Sequence, residues 1–243
     1  MIRRFVLVAG LGTILGACAA PKPPAPSAAA PKPAISAAYR EDARAGRAVY
    51  RLDAAASRVE ILVGRAGAFA SAGHLHVIEV GRLEGYARLA NGGGRADLVF
   101  PLAAMVVDPP AARSALGGAY AEPLGESQRE GTRANMLGAK GLDAARYPWA
   151  HLAITAPATA SGSVPITAAI SLHGITRQLS AKTALAFDAK HLQADGELHL
   201  RQSNFGITPY SVLLGALKVA DTLDIRYHLR FTRWCPVPGP TSC

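Results

Sequence analysis

From Leu223 to Phe231 the chain alternates without a break. Leu223, Ile225, Tyr227, Leu229 and Phe231 are apolar, and Asp224, Arg226, His228 and Arg230 stand between them. Successive side chains of a strand leave on opposite faces, so this period of two specifies a strand with one buried and one wet face. The pattern returns in Leu192, Ala194, Leu198 and Leu200, in Val164 to Leu172, and in Leu83, Ala87 and Leu89 against Arg82, Glu84 and Arg88. Val59, Ile61 and Val63 begin another strand, and Leu98 to Met105 another. Consecutive strands with one wet face favour an antiparallel sheet. With this many strands, closure removes the exposed edges. The expected fold is mainly β, an antiparallel barrel of about eight strands with a short helical insertion.

Helical signals are confined to the middle of the chain. Pro109 to Leu116 reads as one short helix and Glu126 to Leu142 as a second, stopped before Tyr147-Pro148. The second is polar around most of its circumference, with Met136 and Leu137 its main apolar pair, which suits a lid over a barrel mouth. An eight-stranded barrel is either just filled by side chains or holds one small ligand. Here many inward positions are Ala, Gly or Val, which leaves room for a cavity. The candidate ligand contacts are Phe100, Met136, Leu137, Leu152, Ile154, Phe205, Ile207 and Tyr227.

The ends of the chain speak to location. Arg3 and Arg4 precede an apolar run, Phe5 to Leu15, and then Leu15-Gly16-Ala17-Cys18. A charged start, a short apolar middle and small residues make a secretory signal, too short to span a bilayer. Cys18 after Leu-Gly-Ala resembles the lipobox of bacterial lipoproteins. That resemblance implies cleavage of residues 1–17 and acylation of Cys18, hence an envelope protein tethered to a membrane and facing the periplasm. Ala19, in place of an aspartate, tilts the expectation to the outer membrane. Loss of Arg3 and Arg4 lowers the net charge from +9 to +7 (9 − 2). Residues 18–46 are rich in Pro and Ala and read as a polyproline spacer. Residues 234–243 form a tail in which Cys235 and Cys243 are candidates for a disulfide, with two free thiols the open alternative. The basic residues are dispersed and aromatics make up only 6%, which argues against a nucleic-acid platform.

Residues 47–233 remain for one domain. Within it, Tyr50-Arg-Leu-Asp53, Gly73-His74-Leu-His76, Thr132-Arg-Ala-Asn-Met136-Leu, Leu142 to Pro148, Ile170-Ser-Leu-His173-Gly174-Ile-Thr176 and Arg201-Gln-Ser-Asn-Phe205-Gly206 follow in order. Together these resemble the YceI-like family of secreted bacterial proteins, from about Tyr50 to Phe231. The resemblance implies a lipocalin-like barrel and, since members hold polyisoprenoid or similar molecules, a bound isoprenoid or other lipid in place of a conventional cofactor. The chain departs from the family where Ala56 precedes Ser57, a position that often carries histidine.

His74 and His76 sit two apart, a spacing that puts both on one strand face and suits a shared metal, with His173 the third ligand in that alternative reading. Counting along the chain places them with Arg82 and Glu84, unless Gly81 marks a bulge. The other readings are polar rim groups that cap a ligand's head, together with Gln202 and Asn204, or plain hydrogen bonding at a barrel rim. No Gly-x-Ser-x-Gly elbow, phosphate loop or Cys-x-x-Cys is present, and no nucleophile with its base assembles from the remaining residues. The sequence therefore points to a non-enzymatic, membrane-tethered binding protein for a long apolar ligand (polyisoprenoid, quinone or fatty-acid derivative), with a metal-binding envelope protein or a protein-interaction module as alternatives. Nothing in the pattern sets its oligomeric state.

Overall fold

The computed structural model describes residues 28–90, 92–157 and 161–236. The signal segment 1–17, Cys18 and Cys243 lie outside the described residues. A helix, α1 (Ser36–Arg44), leads into strands β1 (Val49–Leu52), β2 (Arg58–Ala66), β3 (His76–Glu79), β4 (Glu84–Ala90), β5 (Gly93–Pro101) and β6 (Val106–Val107). Helices α2 (Pro110–Leu116) and α3 (Glu126–Leu137) follow, then β7 (Trp149–Ala156), β8 (Gly162–Leu172), β9 (Ile175–Phe187), β10 (His191–Arg201), β11 (Ser211–Val212) and β12 (Leu217–Arg233).

The sheet is antiparallel and closes on itself. Its hydrogen-bonded order runs β1-β4-β5-β7-β8-β9-β10-β12, and β12 returns to β1 through Leu52↔Phe231 and Tyr50↔Arg233. β2 continues the line of β1 along β12, and β3 lies beside β2 as β4 lies beside β1. Counting each of these broken pairs once gives the eight staves of a barrel, and the expected lipocalin-like fold is the one observed. The interruptions have local causes. Between β3 and β4, Arg82 turns left-handed (φ 54°), and a Cβ on Gly81 would collide with the Ala104 carbonyl. That break resets the alternation, so the phase of Arg82 and Glu84 does not carry back to His76.

At one end, here the hairpin end, tight turns join β4 to β5 and β9 to β10. At the other, the insertion end, β5 runs into the 102–148 segment. There Leu102 and Met105 are buried in the main core with Phe100 and Val107. α3 covers this mouth. Its first turn is held by the Gly125 N–H donating to Gln128 Oε1 (2.8 Å), and its Arg133 guanidinium donates to the carbonyls of Met105 (2.5 Å) and Ala103 (2.6 Å). Met136 and Leu137 pack against the core beneath.

The spacer expected over 18–46 does not reach residue 46. Ala30 N–H donates to the Arg146 carbonyl (2.9 Å), and Lys32 Nζ binds Glu84 (2.6 Å). α1 then straps the outside of β4 and β5. Tyr39 is wholly buried, stacks on Tyr86 (5.5 Å) and donates to Asp97 (2.7 Å). Asp42, also buried, binds Arg47 (2.6 Å) and Arg95 (2.7 Å). Alanines and one tyrosine give α1 an apolar side to bury, and its one aspartate is neutralised from both directions. The tail is attached as well: Trp234 N–H donates to the Val49 carbonyl (2.9 Å) and its ring meets Tyr86 (4.8 Å). Cys235 is disulfide-bonded, and both other cysteines lie outside the described residues.

Candidate functional site: an apolar cavity in the barrel

The barrel is filled at its insertion end and hollow from the middle toward its hairpin end. The hollow measures about 110 Å³. A water needs roughly 10–15 Å³ on this kind of measure, so the space takes on the order of seven to eleven water-sized groups. Its wall is almost wholly apolar and comes from the inward faces of β2, β4, β5, β7, β8, β9, β10 and β12. The room arises from residue size: Ala87, Ala96, Ala168 and Ala194 point inward at positions where larger side chains would meet across the barrel.

Leu152, Ile154 and Tyr227 line the cavity. The other candidate contacts do not. Phe100, with Met136 and Leu137 over it, belongs to the filled insertion end. Phe205 and Ile207 lie in a separate cluster with Ile170 and Leu200, where Phe205 is wholly buried. They seal the barrel near the β8–β9 turn because Gly206 turns the chain left-handed (φ 70°) and returns it inward. Of the expected rim groups, Gln202 donates to the Ala220 carbonyl (2.8 Å) and Asn204 is exposed. The neighbouring Ser203 is fastened to Asp221 through its N–H (2.8 Å) and Oγ (2.7 Å). Asp221 sits inside β12, at the register shift between Val219 and Leu223.

Polar groups in the wall are few. Thr183 is buried and donates to the Asp195 carbonyl (3.1 Å). Beside it, the Tyr227 hydroxyl is buried without a well-formed hydrogen bond among the described residues. Burial pushes this phenol above its usual range, and like any tyrosine it is protonated at neutral pH. Its register partner is Gly196, and a Cβ there would run into the phenol oxygen. Gly196 and Thr183 carry no recognisable motif. Only the closed register of β9, β10 and β12 brings them to Tyr227.

The histidines separate. His76 Nδ1 meets Asp108 Oδ2 (2.6 Å). Asp108, with no exposed surface, also accepts from the Val77 N–H (3.0 Å) and Arg113 (2.7 Å). Burial opposes ionisation of Asp108, but the bonds from His76, Val77 and Arg113 outweigh it and hold the carboxyl below its ordinary range. This is a buried polar knot that fastens α2 to β3. His74 lies 6.5 Å from the His76 ring and 3.5 Å from Glu122. His173 is elsewhere, in the left-handed β8–β9 turn (φ 52°), against Tyr147 and the Phe205 carbonyl (3.0 Å). The set of His74, His76 and His173 is therefore not assembled. Among the described residues the only group spaced to hold a metal is Glu197, His199 and Asp224, outside the barrel, where His199 already bonds Asp224 (2.8 Å).

With fold and cavity in place, the family follows. The YceI-like domain matches residues 50–231, three quarters of the chain. The chain belongs to the YceI-like family. Among solved structures it is similar to BcnA of Burkholderia cenocepacia, with a TM-score of 0.54 and 16% identity, covering 74% of this chain and 98% of that one. It also matches the Campylobacter jejuni YCEI protein, including a variant with a monobromobimane guest, at a TM-score of 0.43 and 8% identity over 65% of this chain and 84% of that one. No curated protein matches. The shared YceI-like barrel is what the family match and the likeness to BcnA establish. The α1 strap, residues 36–44, lies ahead of the matched region.

Proposed function

We propose that this protein is a non-enzymatic binding protein of the cell envelope that holds one apolar chain in the hollow of its barrel. The observation that carries the reading is the apolar cavity itself, walled by leucine, isoleucine and valine with alanines interspersed on the inward faces of the strands. The mechanism is burial. Eight methylenes taken from water contribute roughly 6 kcal/mol before ordering costs, at about 0.8 kcal/mol each. Even before those costs this corresponds to no better than a millimolar-to-micromolar grip, so a polar contact decides which chain binds well. The Tyr227 hydroxyl supplies it, and the favoured ligand carries a hydrogen-bond acceptor: a quinone, a fatty acyl derivative or the oxygen-bearing end of an isoprenoid. The size of the hollow fits a segment of such a molecule and leaves the rest outside.

The lipobox-like Cys18 supports an acyl tether that keeps the barrel at the membrane where such ligands reside. The test is titration with an environment-sensitive apolar dye. Uptake at about one dye per chain, displaced by a quinone or fatty acid but not by a polar analogue, is expected. A barrel that takes up no apolar probe would overturn the reading.

A further inference from the structure

Five of the seven large apolar side chains exposed among the described residues share one corner of the insertion end. β11 pairs with the start of β12 in a short ribbon, Val212↔Leu217 and Ser211↔Lys218. Leu213 and Leu214 form its tip. Leu213 is 65% exposed and Leu214 completely so. Both are left-handed, at φ 51° and 54°, a conformation that costs a branched residue free energy and that Gly or Asn adopts more readily. Two leucines held there against both solvation and backbone preference point to a role at the surface. Phe69 lies beside them, its N–H donating to the Ala216 carbonyl (2.8 Å), and Val212 and Tyr210 complete the patch.

The surroundings define the partner. The two segments that build the corner, 61–78 and 206–220, contain Arg65 and Lys218 and no carboxylate. Lys218 stands opposite Ala66 in the ladder, one step from Arg65. An apolar tip with cations at its base matches an anionic bilayer, with acyl chains below and headgroup phosphates around. The chain also enters the fold at this end of the barrel, through Ala30 on Arg146 and Lys32 on Glu84. Cys18 stands twelve residues before Ala30, a reach of at most about 40 Å for extended chain.

We propose that the Leu213–Leu214 tip, with Phe69, Val212 and Tyr210, dips into an anionic lipid surface and seats the insertion end of the barrel on the membrane. The hairpin end, toward which the cavity lies, then faces away from the bilayer. The proposal agrees with an acyl tether at Cys18 but is tested without it. The chain from residue 18 onward, carrying Cys18→Ser so that no acyl group is present, is floated with vesicles of phosphatidylethanolamine and about a quarter phosphatidylglycerol. The wild-type tip is expected to bind, and Leu213→Ser/Leu214→Ser to lower the bound fraction roughly tenfold or more, from the lost burial of two leucines. Lys218→Glu is expected to weaken binding less and to abolish its salt dependence in part. Because the leucines are exposed, thermal melts of the double variant should match wild type. As a second readout, the indole emission of Leu214→Trp should shift to the blue and be quenched by brominated lipid. Equal flotation of wild type and double variant, or an indole emission that brominated lipid leaves unchanged, would overturn the proposal. So would concentration-dependent self-association that the double variant abolishes, which would assign the tip to a second copy. Acylation of Cys18, read by mass spectrometry of the amino-terminal peptide, tests the tether separately.

Discussion

The two halves of this barrel are made from the same alternating strands and come out differently. At the insertion end the inward positions are large. Phe100, Leu102 and Met105 fill the bore, α3 covers it, and a buried Asp108–His76–Arg113 knot ties α2 to the wall. Toward the hairpin end the wall is leucine, isoleucine and valine with alanines interspersed, and the bore stays open. The strands close the barrel in both halves; what differs is what enters the bore, the buried 102–105 segment under α3 at one end and a hollow at the other. Ala87, Ala96, Ala168 and Ala194 leave room in the wall that larger side chains would take up.

The sharpest way to break the contrast is through the knot. Asp108→Ala leaves Arg113 buried with its main charge partner gone, and the expected loss is about 3–5 kcal/mol of stability by denaturant unfolding. The same group gives a pH signature. A carboxyl whose folded pKa is depressed contributes stability that is fully present above its unfolded value, about 3.9, and lost as pH falls through the lower folded value. Wild type should therefore weaken steeply only below about pH 4, and Asp108→Asn should flatten that limb; an unchanged acid limb would show that the carboxylate is not what holds α2. Next comes a matched truncation in the two halves. Leu102→Ala in the filled end should cost about 3–4 kcal/mol, whereas Leu185→Ala, beside the existing hollow, should cost about 2 kcal/mol because fewer contacts are lost. Equal costs by chemical denaturation would deny that the halves are packed differently.

Smaller effects probe the site. Ala194→Phe fills the hollow at a cost of about 1 kcal/mol, since the added ring enters open space, and should reduce dye uptake at least about tenfold. Tyr227→Phe removes one neutral hydrogen bond, about 1 kcal/mol. Quinone or fatty-acid binding should fall by roughly fivefold by competition titration, and a plain alkane should be unaffected. A uniform loss for both ligand types would assign Tyr227 a packing role only.

Much of the fold was legible in the alternation. The run from Leu223 to Phe231 is the inner face of β12 as read, and His173-Gly174 is the turn between β8 and β9. What stayed hidden depends on closure. Which inward residues meet the cavity, and which are swallowed by the insertion, follows from the height of each strand in the barrel, and sequence parity gives the face but not the height. Hence Leu152, Ile154 and Tyr227 fall at the cavity while Phe100 and Phe205 fall in packed regions. The α1 strap was hidden by composition: the prolines and alanines that dominate residues 18–38 read as spacer and carry the short Tyr39–Arg44 stretch with them, and Tyr39 and Asp42 meeting Asp97 and Arg95 on β5 reveal a docked helix. The histidine pair misled because a broken strand at Gly81–Arg82 reset the alternation, and because a buried aspartate 32 residues away in sequence, Asp108, claims His76.

The claim that the hollow half is a ligand site is tested most directly by native mass spectrometry of wild type and Ala194→Phe, each purified from the protein's own host and followed by solvent extraction. One apolar adduct per wild-type chain, carrying an oxygen acceptor and missing from Ala194→Phe, is the predicted result. A wild-type barrel found repeatedly empty, or an adduct retained equally by the filled variant, would contradict it.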